Sequence, residues 1–279
     1  MTAAVAVSGL TKSYGDHEAL RGIDFEIAAG EVFGLLGPNG AGKTTTVEIL
    51  EGYRKRDAGT VTVLGEDPQK AGRDWREQVG VVLQSSSLYA TLTVRESLET
   101  FGGYYRRPRD TDEVCTIVGL DEKKNARVRT LSGGQKRRLD LGLALIGDPD
   151  LIFLDEPTTG FDPGARRTAW ETIRNLRALG KTVLLTTHYL DEAEQLADRV
   201  AVLRDGVIVR EGTPAQLTTA TQTEIRFHVD GEEVIERTDD PTRRLNELTT
   251  EALARGETLQ ELEVRRPSLE DVYLELTRE

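Results

Sequence analysis

Eight consecutive residues, Gly37-Pro38-Asn39-Gly40-Ala41-Gly42-Lys43-Thr44, constrain the fold of this chain more than any other stretch. Ahead of them runs Glu31-Val32-Phe33-Gly34-Leu35-Leu36, apolar and of strand type; behind them, Thr45-Thr46-Val47-Glu48-Ile49-Leu50-Glu51 reads as the first turns of a helix. A glycine-rich loop between strand and helix turns backbone N–H groups and the positive end of the helix dipole toward an anion. Glycine, having no side chain, lets that anion come close. In such a loop Lys43 reaches the β- and γ-phosphates of a nucleotide, and the Thr44 hydroxyl ligates Mg²⁺ held between them. The remaining contacts, from Gly37, Pro38, Asn39, Gly40, Ala41, Gly42 and Thr45, belong to the loop and its helix start. Glycines at 37, 40 and 42 do not follow the G-x-G-x-x-G spacing, which argues against NAD or FAD. The fold class is α/β.

A second apolar strand, Leu151-Ile152-Phe153-Leu154, ends in Asp155-Glu156-Pro157. Strands of a phosphate-loop fold open toward the ligand at their carboxyl ends, so both carboxylates are expected near the same phosphates. Asp155, at the strand end, suits the coordination shell of Mg²⁺. Glu156, one residue on, is the candidate to orient or deprotonate an attacking water. An acidic pair after a strand is ordinarily a solvated turn; its company here gives it chemical meaning.

Leu131-Ser132-Gly133-Gly134-Gln135 precedes the spaced leucines 139, 141, 143 and 145, and so reads as a helix N-terminus whose N–H donors can hold an anion. With this pentapeptide in place the sequence resembles the ATP-binding-cassette (ABC) family over about residues 5–215. The resemblance implies an ABC ATPase fold: a mixed β core, an antiparallel β subdomain and a helical subdomain at about 88–145. It implies ATP and Mg²⁺ as cofactors, with the signature of one subunit (Ser132, Gly133, Gly134, Gln135) facing the phosphate loop of a second. It also assigns Tyr14 as the aromatic stacking on adenine, Gln84 as the sensor of Mg²⁺ and attacking water, Asp162 as the loop aspartate communicating across the dimer, and His188 as the γ-phosphate histidine. Gly160-Phe161 departs mildly from the Ala-Leu or Gly-Leu of many relatives. Since Glu156 and Ser132 are both intact, a homodimer has two competent sites, and a separate integral membrane permease is the expected partner.

Composition bears on compartment. No apolar run approaches the ~18–20 residues of a membrane-spanning helix, and the first residues show no basic region ahead of an apolar core. Cys115 is alone and reads as a packing residue. The net charge of −12 opposes nucleic-acid binding, and the one basic cluster, Tyr104-Tyr105-Arg106-Arg107-Pro108-Arg109, reads as a solvated helix end. The expected location is cytoplasmic, peripheral on the inner face of the cell membrane through the permease.

Residues 216–279 change character. Ile225, Phe227 and Val229 alternate with polar residues, Asp230-Gly231 supplies a hairpin turn, and Asp240-Pro241 opens a helix presenting Leu245, Leu248 and Ala252. Ser268 through Asp271 is a capping box ahead of a stripe of Leu269, Val272, Tyr273 and Leu276. This predicts a C-terminal α+β extension, regulatory or dimerising, after a nucleotide-binding domain at 1–215. The ending Arg266-Pro267-Ser268-Leu269-Glu270-Asp271-Val272-Tyr273 resembles that of daunorubicin-resistance type exporter ATPases. The resulting expectation is an ATPase subunit driving export of a drug or lipid-like compound, an importer ATPase being the nearer alternative and a soluble cassette ATPase the more distant one.

Overall fold

Among the described residues, six strands make the central sheet: β3 (Val32–Leu36), β5 (Val79–Val82), β6 (Leu151–Asp155), β7 (Thr182–Thr187), β8 (Arg199–Arg204) and β9 (Val207–Gly212), in the order β5-β6-β7-β3-β8-β9. All pairs from β5 to β8 are parallel. β9 returns antiparallel, as a two-residue connection requires, through Asp205-Gly206, both at positive φ. This computed structural model describes residues 3–82, 88–219, 222–229, 232–265 and 268–277, and their contacts divide into two units, Met1–Glu211 and Gly212–Glu279.

Every residue of β3, β6 and β7 is buried, because both sheet faces are covered. On one face Phe33, Leu35, Leu151, Phe153 and Leu184 join a core shared with α1 (Lys43–Leu50) and with an antiparallel sheet, β2-β1-β4. That sheet comprises β1 (Ala3–Tyr14), β2 (His17–Ala28) and β4 (Ala58–Val63), and the short α2 (Arg73–Arg76) adds Trp75 to the same core. On the other face Val32, Ile152, Leu154, Val183 and Leu185 pack with a helical layer. Its helices include α3 (Val94–Gly102), α4 (Thr111–Ile117), α5 (Gly133–Leu145), α6 (Pro163–Ala178) and α7 (Leu190–Leu196). Burying some twenty apolar side chains on each face, at roughly 1.5–3 kcal/mol apiece, supplies the driving force for this three-layer arrangement.

The expected local signals are present. Thr93 and Glu96 close a capping box at α3, and Cys115 is buried in α4, where burial pushes its thiol pKa up. Of the basic cluster, Arg106 pairs with Asp74 at 2.7 Å, and Arg109 with Glu113 and Asp148 at 2.5 and 2.8 Å. Register then sets function: Leu36 pairs with Thr187 and Thr186 with Asp155, so the segments after β3, β6 and β7 leave the sheet at one end.

The second unit holds a sheet in the order β11-β10-β12, from β10 (Thr223–Val229), β11 (Glu232–Thr238) and β12 (Gln260–Arg265). Ile225 and Phe227 pack on Leu245 and Leu248 of α9 (Pro241–Arg255), whose start Asp240 caps. The expected hairpin pairing is formed, Val229 opposite Glu232, although Asp230-Gly231 itself lies outside the described residues, as do Arg266-Pro267 and the Leu276 side chain. Ser268 and Asp271 bond reciprocally at the head of α10 (Leu269–Thr277). The division falls at 211/212, not at the expected 215/216. That expected point lies inside α8 (Pro214–Thr219), which packs against α10 and so goes with the second unit.

Candidate active site

A cleft of about 660 Å³ opens at the shared end of β3, β6 and β7, with Asn39, Gly40, Lys43, Thr44 and Thr45 on one side and Glu156, Thr159 and His188 on the other. Gly37 and Ala41 stand behind it as backbone support. A Cβ on Gly37 would come within 2.3 Å of the Leu203 carbonyl oxygen; one on Gly42, whose φ is +106°, would come within 2.7 Å of the Ala19 carbonyl oxygen. The loop is therefore pressed against β2 and β8 so closely that only glycine fits. This is a cradle suited to phosphate.

Lys43, 6% exposed, donates to the carbonyls of Gly37 at 2.6 Å and Pro38 at 3.1 Å, and its Nζ lies 3.8 Å from Glu156 Oε1. Burial lowers its pKa, and the carboxylates of Glu156 and Asp155 oppose that. Glu156 adopts φ +45°, a left-handed conformation that a residue with a side chain occupies only under constraint. The constraint is visible: its amide donates to the Thr186 carbonyl (3.2 Å) and hydroxyl (3.0 Å), while its carboxylate accepts from Thr159 Oγ1 (3.1 Å) and lies 3.3 Å from His188 Nδ1. Asp155, 8% exposed, lies deeper and accepts from Thr186 Oγ1 at 2.5 Å. One buried hydroxyl thus holds the Asp155 carboxylate and the backbone amide of Glu156. Near His188, the buried Glu192 accepts from Thr158 Oγ1 at 2.8 Å and Trp170 Nε1 at 3.2 Å; burial raises its pKa, against hydrogen bonds from Thr187, Thr158 and Trp170.

Tyr14 ends β1 at the edge of the cleft, 40% exposed, with its hydroxyl 3.5 Å from Thr45 Oγ1. Arg54 and Lys12 carry their charges 5.2 and 5.6 Å from its ring centroid. An exposed ring so placed is suited to base stacking. Gln84 lies outside the described residues.

Ser132, Gly133, Gly134, Gln135 and Asp162 come together elsewhere, in a cleft of about 440 Å³ that shares Thr159 with the first. Ser132 caps α5 in a reciprocal box with Gln135. This narrows the expectation of open N–H donors: the amides of Ser132 and Gln135 are used within the turn, leaving those of Gly133 and Gly134 in the first turn. The Ser132 hydroxyl accepts from Gln135 and retains its proton to donate. Asp162 caps α6, accepting from the amides of Gly164 and Ala165.

Thr186, Thr159 and His17, all at the site, were missed in the sequence. A signal existed for the first: two threonines at the carboxyl end of the otherwise apolar Thr182-Val183-Leu184-Leu185-Thr186-Thr187.

The sequence model of the family described as ABC transporter matches residues 20–159. The Nod factor export ATP-binding protein I of a Rhizobium species is 42% identical, covering 98% of this chain and 97% of that protein. Its counterpart from Paraburkholderia xenovorans is 46% identical over 77% of this chain and 72% of its own length. Among solved structures, an ATP-binding subunit of an ABC transporter has a TM-score of 0.72 at 24% identity, covering 99% of this chain and all of that one, a likeness of fold. A dimeric post-hydrolysis ATP-binding cassette bound to ADP and Pi has a TM-score of 0.66 at 28% identity over 75% of this chain and 98% of its own. Phosphate loop, paired carboxylates, signature helix and sequence kinship agree: this chain belongs to the ABC transporter family, as an ATP-binding and ATP-hydrolysing subunit.

Proposed function

We propose that the chain powers a separate membrane-embedded permease working as an exporter, and that its ATP sites are completed between two copies. Relatives named for export, matched over nearly the whole chain, support the direction. A cargo of drug or lipid-like kind follows from the resemblance of the C-terminal ending. No described helix is long and apolar enough to cross a membrane, in keeping with a peripheral subunit held at the inner face by its permease. The second unit is assigned a regulatory or dimerising part.

The observation that carries the reading is the position of Glu156, constrained in a left-handed turn within 3.3 Å of His188 Nδ1 and 3.8 Å of Lys43 Nζ at the rim of the phosphate loop. Lys43 and the loop amides neutralise the β- and γ-phosphates, Tyr14 stacks on the base, and His188 steadies the γ-phosphate. Glu156 aligns the attacking water and draws its proton. The oxygen donors of Thr44 and Asp155, joined by Gln84, form a hard-ligand set that fits Mg²⁺, which when bound would offset phosphate charge. Ser132 and the Gly134 amide, in their own cleft, would bond the γ-phosphate held by a second copy, at ~1.5–3 kcal/mol per charge-assisted bond. Hydrolysis removes those bonds, the pair opens, and the region around Gln84 passes the movement to the permease.

Glu156→Gln tests this. It should keep ATP affinity, accumulate a closed dimer with ATP and lose steady-state turnover. Wild-type turnover, or a persistent monomer under saturating MgATP, would refute the role.

A further inference from the structure

Arg137 is 7% exposed, unusual for a guanidinium, and none of the roles above uses it. It stands in the second turn of α5, the helix that Ser132 begins. Its Nε donates to the Pro157 carbonyl at 3.1 Å and its Nη2 to the Asp155 carbonyl at 3.0 Å. These carbonyls belong to the residues immediately before and after Glu156. The charge also lies in the field of the Asp140, Asp155 and Glu192 carboxylates. A planar fork with fixed donors can bracket two carbonyls at once, which the single ammonium of a lysine cannot do with the same geometry.

We infer that Arg137 is a positioning residue for ATP hydrolysis: from the signature helix it grips both sides of the left-handed turn at Glu156 and so ties the aim of that carboxylate to the placement of α5. The inference rests on the proposed roles of Glu156 in activating water and of Ser132 in meeting a second copy's nucleotide. Given those roles, nucleotide caught by a chain's signature is felt at the same chain's own Glu156, and the two sites of a pair are coupled through the interior of each subunit. A buried arginine serving only to satisfy carbonyls would support folding and nucleotide binding alike, with no separate effect on turnover.

The test uses full-length Arg137→Gln and Arg137→Lys chains, with steady-state ATPase and fluorescent-nucleotide binding measured on each. Arg137→Gln should lower kcat by about 10²-fold, the scale of an ångström-level misplacement, with nucleotide Kd within about twofold of wild type; Arg137→Lys should recover part of the loss. In mixed pairs with one Glu156→Gln chain, Arg137→Gln should lower the remaining activity by the same ~10²-fold when it shares a chain with the intact Glu156. Placed on the Glu156→Gln chain it should cost less than about threefold. Unchanged kcat, binding and kcat falling together in both variants, or equal losses in the two placements would overturn the inference. Failure of the underlying reading would show separately, as normal turnover by Glu156→Gln alone.

Discussion

Thr186→Val is the most direct test of how the two carboxylates are held. The side chain is fully buried; its hydroxyl donates to Asp155 Oδ1 at 2.5 Å and accepts from the Glu156 amide at 3.0 Å. Valine keeps the shape and removes both bonds. Losing a hydrogen bond to a carboxylate costs about 1.5–3 kcal/mol. The Glu156 amide keeps the Thr186 carbonyl at 3.2 Å, so its share of the loss is only about 0.5 kcal/mol. A buried methyl in place of the hydroxyl returns somewhat under 1 kcal/mol, leaving a net loss of about 2 kcal/mol. Urea unfolding without nucleotide or Mg²⁺ should show this as a lower midpoint at unchanged slope, with Thr186→Ser, which keeps both bonds and loses only the buried methyl, about 1 kcal/mol below wild type and normal in kcat. With one anchor of the Glu156 turn gone, kcat should fall by about 10- to 100-fold. Stability within about 0.5 kcal/mol of wild type together with normal kcat would refute the reasoning.

Gly37→Ala should lower stability by about 3 kcal/mol and weaken ATP binding, because the new methyl meets the Leu203 backbone at 2.3 Å; thermal melts and nucleotide titration would measure both. Burial, with Asp155 and Glu48 nearby, pushes the Glu51 carboxyl from its ordinary 4.5 up to about 8. The stability it contributes is complete below the lower value and disappears as pH rises through the upper one, so wild type should weaken between pH 5 and 8. Glu51→Gln should flatten that profile in urea titrations free of nucleotide and Mg²⁺, and be the more stable by about 1–3 kcal/mol at pH 8. Mixing Lys43→Ala with Ser132→Arg chains should restore one composite site per mixed pair; ATPase that stays absent despite demonstrated mixing would count against shared sites.

The chemistry was legible wherever it is written locally. A phosphate loop needs its glycines and Lys-Thr in sequence, and a cap needs its partner three residues on, so the loop, Ser132, Thr93 and Ser268 could all be read from neighbours. Periodicity likewise separated the strands of both units from their helices. The division of contacts lies four residues before the composition break at 215/216, and a change in composition does not reveal which neighbour α8 packs against.

By itself, then, the sequence determined the reaction class and the residue types that carry it, since those depend on donors, acceptors and turns within a few positions of one another. Only the tertiary structure decided that Lys43 lies against Glu156, that Thr186 holds the Asp155 carboxylate and the Glu156 amide from about thirty residues downstream, and that Arg137 reaches across from the signature helix to brace the same turn. Those contacts arise from strand register and layer packing. A parallel sheet brings together residues separated by whole crossover connections, and no short window of the chain contains both partners.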